Sequence, residues 1–469
     1  MTTKAIAPGF LGNLTTDQES KLRQLWAIIL KLHDAGLTDA ANDANQKSPS
    51  PTHRRNSSLT HTETKISVST TSAYTAEFAQ TLQEVGIQGA ELKSVREALK
   101  NTSVDDLRRS LLSTARHDHP DALMLRFLRA RKWDVNKAFV MMLHALVWRV
   151  KDQHVDEKVI ANSELDALKQ SQNKSDPQAA KTGSSFLAQM RMGKCYFHGV
   201  DKQGRPVGVM KARLHKPADQ SEEVINRYIL HVIETVRLLL VPPVENVTVV
   251  FDLTGFSLSN MEYAPVKFLI ECFERNYPES LGTLLIHNAP WVFSGIWRII
   301  KAWMDPVIVS KIHFTNSVAD MEKFIARDQI VKELGGSEDW TYEYVEPVEG
   351  ENDEMADSVS RDSLLAERQR IGDDLLRTTG EWISVCKTDN EEEIAEVKTR
   401  RANVTEELRL NYWKLDPYIR GRNHMDRTGV INDGGKIDFY PQPEVTDETL
   451  AKTLEVEHVE RTQVKVVNV

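Results

Sequence analysis

The feature that most limits the fold is a regular alternation of short apolar runs and helical stripes between residues 195 and 315. Runs such as VTVVFDL and GTLLIHN are largely apolar, whereas the segments between them repeat apolar residues at helical spacing. Buried runs joined by helical crossovers indicate a mainly parallel sheet covered by helices. The tetrapeptide DKQG at 201–204 separates the first two runs and predicts a hairpin. The predicted fold class is therefore α/β.

Changes of composition divide the chain into six predicted segments. The Ser-, Thr- and Asn-rich text from 41 to 75 is too polar to offset its ordering entropy, so disorder is expected there. Within it, RRNS places Ser57 in a context that suits a basophilic kinase, with an unmodified charged loop as the alternative. The segments are an N-terminal helix (1–40), that disordered insertion (41–75), a helical lobe (76–151), a polar insertion (152–185), the α/β domain (186–345), and an acidic linker with a helical extension and tail (346–469).

Composition and missing motifs exclude several classes of function. Lys and Arg total 59 against 68 for Asp and Glu, and this net charge of −9 argues against general affinity for nucleic acid. No signal core and no membrane-spanning apolar stretch is found, so a soluble, cytoplasmic protein is expected. The three cysteines and 14 histidines show no metal-ligand spacing, and phosphate-loop, dinucleotide and nucleophile-elbow motifs are missing. We therefore expect no enzyme, no metal and no cofactor.

Several motifs occur in an order that resembles one known family. LMLRFLRARKWDVNKA is similar to the N-terminal helical motif of the CRAL-TRIO lipid-binding family. VVFDLTGFSLSNM and the stretch from NYPES through SKI to LGG are similar to its core, so the resemblance covers roughly residues 121–336. Within the family, the chain looks most like the fungal phosphatidylinositol transfer proteins. The resemblance implies a helical N-terminal lobe and an α/β lobe whose sheet floors a deep lipid pocket closed by a mobile gate helix.

The resemblance also implies a headgroup site. Phosphatidylinositol presents a phosphodiester anion and a ring of hydroxyls, which need a cation and a carboxylate acceptor respectively. At the positions that match the family's motifs, this chain has Arg131, Lys132, Glu279 and Lys311. Lys311 would meet the phosphate, Glu279 would accept hydrogen bonds from inositol hydroxyls, and the Arg-Lys pair would complete the charge balance. A set of ordinary salt bridges is the alternative.

The stretch VFSGIWRIIKAWM is expected to be the gate helix, because aromatic side chains suit a boundary between water and lipid. An ordinary buried helix is the alternative. In one state of the gate helix, a set of its side chains is expected to line the acyl chains of the lipid. In the other state, Trp297 and Phe293 are expected to lie near the bilayer. The whole candidate set is Trp291, Phe293, Ile296, Trp297, Ile299, Ile300 and Trp303, of which Ile296, Ile299, Ile300 and Trp303 are assigned to acyl chains.

Two valines bear on whether the pocket accepts a second ligand. Family members that also carry phosphatidylcholine place hydroxyl side chains on the strand before Asp-Leu, where this chain has Val247 and Val249. Valine cannot donate to a phosphate, and burying that anion without donors costs several kcal/mol. The pocket is therefore expected to discriminate against phosphatidylcholine and to accept, if anything else, an apolar lipid such as a sterol or squalene.

The function expected from these observations is non-enzymatic exchange of phosphatidylinositol between membranes, with presentation of the lipid to a lipid kinase. A transporter or sensor of sterol or squalene and an interaction scaffold with a structural lipid pocket remain as alternatives. The expected protein is a monomer that touches membranes of the endoplasmic reticulum, endosomes or lipid droplets transiently and binds no nucleic acid.

Overall fold

The structure is a computed structural model that describes residues 6–46, 75–100, 102–388 and 390–441. Of the insertion expected from 41 to 75, residues 41–46 continue the first helix, and the part from 47 to 74 lies outside the described residues. The candidate phosphorylation site Ser57 lies outside them too. No helix in the part of the chain that the structure describes is long and apolar enough to cross a membrane.

Helices make up the part of the described chain that precedes the sheet. Several begin at side-chain caps, as in α4, where the Ser103 hydroxyl accepts from Asp106 N while the Asp106 carboxylate accepts from Ser103 N. These helices are α1 (Thr16–Gln46), α2 (Ala76–Glu84), α3 (Gly89–Leu99), α4 (Val104–Ala115), α5 (Pro120–Ala130), α6 (Val135–Val147), α7 (Glu164–Ser171) and α8 (Pro177–Arg191).

Residues 152–185, expected as a polar insertion, form part of the packed α/β domain. They include α7 and most of α8, which pack against each other. Leu165 and Ala167 of α7 are buried, and Phe186 and Leu187 follow at the end of the second helix. The segment is polar in composition because its apolar residues are confined to one face of each helix.

A five-stranded sheet with the order β1-β2-β3-β4-β5 forms the centre of the α/β domain. The first two strands are an antiparallel hairpin around residues 201–204, and each later pair is parallel. The sequence pattern predicts both features, and the predicted α/β fold class is confirmed. The strands are β1 (Cys195–Val200), β2 (Pro206–Lys211), β3 (Val247–Asp252), β4 (Leu281–His287) and β5 (Ile312–Thr315).

The two faces of the sheet have different coverings. One face packs against residues that follow β5, with Tyr196, Val207 and Val250 in its core. The other face is covered by helices that connect the strands and leave a cavity between them and the sheet. The helices between and after the strands are α9 (Glu222–Leu238), α10 (Tyr263–Glu271), α11 (Phe293–Lys301), α12 (Pro306–Ser310) and α13 (Val318–Met321).

The C-terminal extension docks on the N-terminal helices. Arg401 makes two hydrogen bonds, of 2.5 and 2.6 Å, to the buried Asp121 carboxylate, which also accepts from Trp26 Nε1 at 2.7 Å. This buried ion pair joins the extension to α5 and α1. The elements of the extension are α14 (Ser358–Val385), α15 (Glu391–Ile419), α16 (His424–Arg427), β6 (Ile431–Asn432) and β7 (Lys436–Ile437).

A buried ionic network joins the helical lobe to the sheet domain. Glu234 of α9 pairs with Arg116 at 2.9 Å, with Arg149 at 2.6 Å and with Arg237 at 3.3 Å. The same carboxylate accepts a hydrogen bond of 2.6 Å from the Tyr277 hydroxyl. Burial alone would raise the pKa of Glu234, but the surrounding arginines outweigh it and hold that pKa far below its usual value. The network therefore fixes the segment just before β4.

Candidate functional site

An apolar cavity of about 230 Å³ lies between the sheet and its covering helices. The strands contribute its floor, α9 and α10 its walls, and α11 with the residues after it the remaining side. Its size is below the roughly 300–1,000 Å³ of typical small-ligand pockets.

Val247 and Val249 both line this cavity. Thr248 between them points to the opposite face of β3, where its hydroxyl donates to Asp201 Oδ2 at 2.8 Å. This alternation is the ordinary period of a strand. The only hydroxyl of the three residues is thus kept away from the cavity.

Helix α11 presents Phe293, Trp297 and Ile300 to the cavity, and Ile296 is buried beside them. Ile299 is 45% exposed. The assignment of Phe293 and Trp297 to the bilayer and of Ile299 to acyl chains therefore does not describe this conformation. Two apolar stripes overlap on this helix at helical spacing, and the one that faces the cavity starts at Phe293.

The two other tryptophans of the gate segment lie outside the cavity lining. Trp291 is 89% exposed, just before α11. Trp303 follows the end of α11 at Lys301, so it does not continue the helical stripe. Its ring lies edge-on to Tyr263 at 5.5 Å and under the Lys267 ammonium at 4.7 Å.

Lys311 and Glu279 form an ion pair at the amino-terminal edge of the parallel strands. Lys311 Nζ lies 3.2 Å from Glu279 Oε2, and the two side chains are 18% and 16% exposed. Glu279 precedes β4 with a left-handed backbone (φ 59°), and Lys311 ends α12 just before β5. The structure thus brings together a cation and a carboxylate that are 32 residues apart.

Arg131 and Lys132 lie at the turn that ends α5. The side-chain hydrogen bond of Arg131 is to the neighbouring carbonyl of Ala130. Among the described contacts, neither residue pairs directly with Glu279 or Lys311.

Arg129, in the same RARK motif, is electrostatically coupled to Glu279. It also bonds to Glu245 at 2.7 Å and packs over the Phe10 ring. Burial lowers the pKa of Arg129, and Glu245 and Glu279 partly oppose that effect. The RARK motif contained this residue, but the resemblance singled out its last two members.

A second polar cluster lies at the opposite, carboxyl-terminal edge of the strands. Lys194, His215 and Glu262 all line the cavity. Lys194 Nζ lies 3.2 Å from His215 Nδ1, and His215 Nε2 lies 2.9 Å from Glu262 Oε2. Burial lowers the pKa of Lys194 to about 8, and it also lowers the pKa of His215. The network assigns a neutral imidazole that accepts from Lys194 and donates to Glu262.

The two polar ends are separated by the length of a strand. Val247 at the start of β3 bonds through its N–H to Ser280 O, next to Glu279. At the other end of β3, Asp252 is in register with Lys211, whose N–H bonds to Lys194 O. Five steps of about 3.3 Å put the two ends about 17 Å apart.

Two family models match this chain. The CRAL/TRIO domain covers residues 190–336 and the CRAL/TRIO N-terminal domain covers residues 91–144. The first match contains β1–β5 and the cavity, and the second ends within α6.

Two curated relatives extend the similarity over nearly the whole chain, and a third matches about half of it. A CRAL-TRIO domain-containing protein of Schizosaccharomyces pombe, C3H8.02, is 38% identical over 89% of this chain and 91% of its own length. Phosphatidylinositol transfer protein CSR1 of Eremothecium gossypii is 36% identical over 92% of this chain and 99% of its own. Phosphatidylinositol/phosphatidylcholine transfer protein SFH12 of Arabidopsis thaliana is 29% identical over 52% of this chain and 45% of its own.

Proposed function

The chain belongs to the CRAL-TRIO family of lipid-transfer proteins, and from this premise we propose that it binds phosphatidylinositol and exchanges it between membranes without catalysing a reaction. The observation that carries the proposal is the Lys311–Glu279 pair, whose sequence neighbours Leu281 and Ile312 line an apolar cavity. The full-length similarity to a relative named as a phosphatidylinositol transfer protein supports it.

The headgroup is proposed to bind at the amino-terminal edge of the strands. Lys311 would weaken its ion pair with Glu279 and donate a hydrogen bond to the phosphodiester. Glu279 would accept hydrogen bonds from inositol hydroxyls. Arg131 and Lys132 would complete the charge balance from the turn after α5. Arg129 joins them in the proposed site, because its charge is coupled to Glu279.

Lipid entry is proposed to require α11 to move away from the sheet. In this conformation the cavity, of about 230 Å³, is smaller than typical ligand pockets, and Phe293, Trp297 and Ile300 occupy the side that would open. Exposed apolar side chains occur on this helix and in the segments before and after it, and they would contact the bilayer during opening: Trp291, Ile299, Val307 and Phe314. Arg298 and Lys301 on α11 are exposed and suit anionic headgroups.

Presentation of the lipid to a kinase, monomeric state and transient contact with endoplasmic reticulum, endosome or lipid-droplet membranes from the cytoplasm are parts of the same proposal.

A neutral lipid such as a sterol or squalene is the second candidate ligand. The observation in its favour is that Val247 and Val249 offer no donor to a phosphate where they line the cavity. The same two residues favour discrimination against phosphatidylcholine. The third alternative, a scaffold with a structural lipid pocket, predicts that the pocket does not exchange its occupant.

A vesicle assay tests the proposal. Donor vesicles carry labelled phosphatidylinositol or labelled phosphatidylcholine, acceptor vesicles carry neither, and transfer by the full chain is followed over time. Protein-dependent transfer of phosphatidylinositol that clearly exceeds transfer of phosphatidylcholine is expected. Equal transfer of both lipids would contradict the valine argument, and no transfer of phosphatidylinositol would contradict the proposed function.

A further inference from the structure

The carboxyl-terminal end of the cavity contains a buried amine that lacks a direct ion pair. Lys194 is 5% exposed, and its ammonium has a hydrogen bond to the neutral ring of His215. In the described part of the chain, no carboxylate oxygen lies within salt-bridge distance of Nζ. Asp219 and Glu262 act on it only through space. Since an ammonium has three donors, Lys194 retains donor capacity beside an apolar cavity.

The surroundings of Lys194 hold this amine in place. Asn260 Nδ2 donates to the carbonyls of His215 and Arg213, at 2.9 and 3.1 Å, and so fixes the loop that carries the imidazole. Glu262 holds the other ring nitrogen of His215. The polar group at this end is therefore positioned by three segments of the chain.

Lys211 provides an informative contrast. It lies opposite Lys194 on the neighbouring strand, but its ammonium pairs with Glu333 at 2.7 Å and lies over the Tyr196 ring. Tyr196 belongs to the core on the other face of the sheet. Both lysines line the cavity. They differ in their partners, because Lys211 is neutralised by a carboxylate and Lys194 has only an imidazole.

We propose that this end of the cavity binds the carboxylate of a long-chain carboxylic acid, with Lys194 as its counterion and the hydrocarbon chain lying along the sheet toward Val247. The proposal rests on the proposed lipid-carrying function of the cavity, but it concerns a different end of it and a different class of lipid. A carboxylate supplies the counterion that the Lys194 ammonium lacks, and it can accept two hydrogen bonds. A single chain also fits a cavity of about 230 Å³ with less expansion than a two-chain lipid.

The length of the cavity suits such a ligand. The strand separates Lys194 from the Lys311–Glu279 pair by about 17 Å, and the side chains between them are apolar: Val249, Phe251, Leu284 and Ile286 from the sheet. A long hydrocarbon chain anchored at Lys194 would cover this surface.

Competition binding to the delipidated full chain tests the proposal. The probes are oleic acid, oleyl alcohol and methyl oleate, which share one chain and differ at the polar end. Oleate is expected to bind at least about 10-fold more tightly than the alcohol or ester, in line with the greater strength of charge-assisted hydrogen bonds. Lys194→Met is expected to remove this preference, and the matched control Lys211→Met is expected to keep it.

Each other outcome decides against the proposal. Equal binding of the three probes, tighter binding of the alcohol, binding of none, or a preference for oleate that survives in Lys194→Met would overturn it. Should Lys194→Met fail to fold, equal binding of the three probes by the unmodified protein, or loss of the oleate preference in Lys211→Met, would still overturn the proposal. Phosphatidylinositol transfer by the unmodified protein and by Lys311→Ala reports on the proposed function alone, because Lys311 lies at the opposite edge of the strands.

Discussion

The two ends of the cavity hold their charges in different ways. At the amino-terminal edge, Lys311 and Glu279 neutralise each other, and the segment before Glu279 is tied by Tyr277 to the buried Glu234 network. At the carboxyl-terminal edge, the Lys194 amine is held by a neutral imidazole. A paired site costs little free energy when it is empty, whereas an unpaired buried amine is relieved when an anion arrives. The two proposals accordingly assign a polar headgroup to the first end and a single carboxylate to the second.

The largest expected effect comes from breaking the bracing of the first end. Glu234→Gln leaves three buried arginines without their carboxylate and is expected to cost about 3–5 kcal/mol of the free energy of unfolding. Glu322→Gln, in an exposed pair with Arg327, is the matched control, expected to cost at most about 1 kcal/mol. Chemical denaturation measures both. Similar values for the two variants would contradict the bracing role.

The lowered pKa of Glu234 also predicts the direction in which the stability of the protein changes with pH. Because the pKa of Glu234 is lower in the folded protein than its ordinary value, its contribution to stability is present above the ordinary glutamate pKa. That contribution is lost as pH falls through the folded pKa. The stability difference between the unmodified protein and Glu234→Gln is therefore expected to narrow in acid.

The next effect concerns the headgroup itself. Lys311→Ala is expected to reduce phosphatidylinositol transfer about 10- to 100-fold, since a hydrogen bond to a charged group is worth about 1.5–3 kcal/mol. Glu279→Ala is expected to weaken transfer as well. Lys323→Ala changes the same charge at an exposed pair and serves as the control. Undiminished transfer by Lys311→Ala at an unchanged melting temperature would remove Lys311 from the site.

The alternation of sheet and helix was predictable from sequence, and the orientation of α11 was not. Period and length identify a strand such as β3 because its apolar run is buried on both faces. For α11, the stripes Phe293–Ile296–Ile300 and Ile296–Ile299–Trp303 have the same helical spacing. Only the end of the helix at Lys301 and its packing on the sheet determine that the first stripe faces the cavity.

Some residues of the candidate site could likewise be predicted from sequence, and others could not. Glu279 and Lys311 were available from the motifs that carry the family resemblance. Lys194, His215 and Glu262 were not, because they come from the start of β1, the loop after β2 and the loop before α10. No local spacing relates these three residues, and only the sheet topology brings them together.

A smaller effect is expected from substitutions in and beside α11, and it should differ between an exposed tryptophan and one that lines the cavity. Trp291→Ala is expected to weaken binding to vesicles about 5- to 30-fold, because burying a large apolar side chain in the interface is worth about 1–2 kcal/mol. Trp297→Ala is expected to act on bound lipid instead, since its ring lines the cavity. Vesicle flotation and lipid affinity measure the two steps. Val359→Ala, an exposed apolar site on α14, is the control, and a loss in it equal to that of Trp291→Ala would assign the effect to general surface apolarity.

The smallest expected effect is a gain. Val247→Ser combined with Val249→Thr adds two hydroxyl donors on the cavity face of β3 and is expected to raise phosphatidylcholine transfer several-fold, because each hydrogen bond contributes about 1 kcal/mol. Thr248→Val changes the opposite face, where the hydroxyl bonds to Asp201, and is expected to give no gain. A double variant that still discriminates fully against phosphatidylcholine would show that the valines are not the reason.

The most direct measurement of the central claim is mass spectrometry of the lipids extracted from the purified full chain. Phosphatidylinositol enriched over its share of the host membranes is the predicted result, with that enrichment lost in Lys311→Ala and kept in Lys323→Ala. Recovery of sterol, squalene or another lipid class without phosphatidylinositol, or the same phosphatidylinositol content in Lys311→Ala, would contradict it.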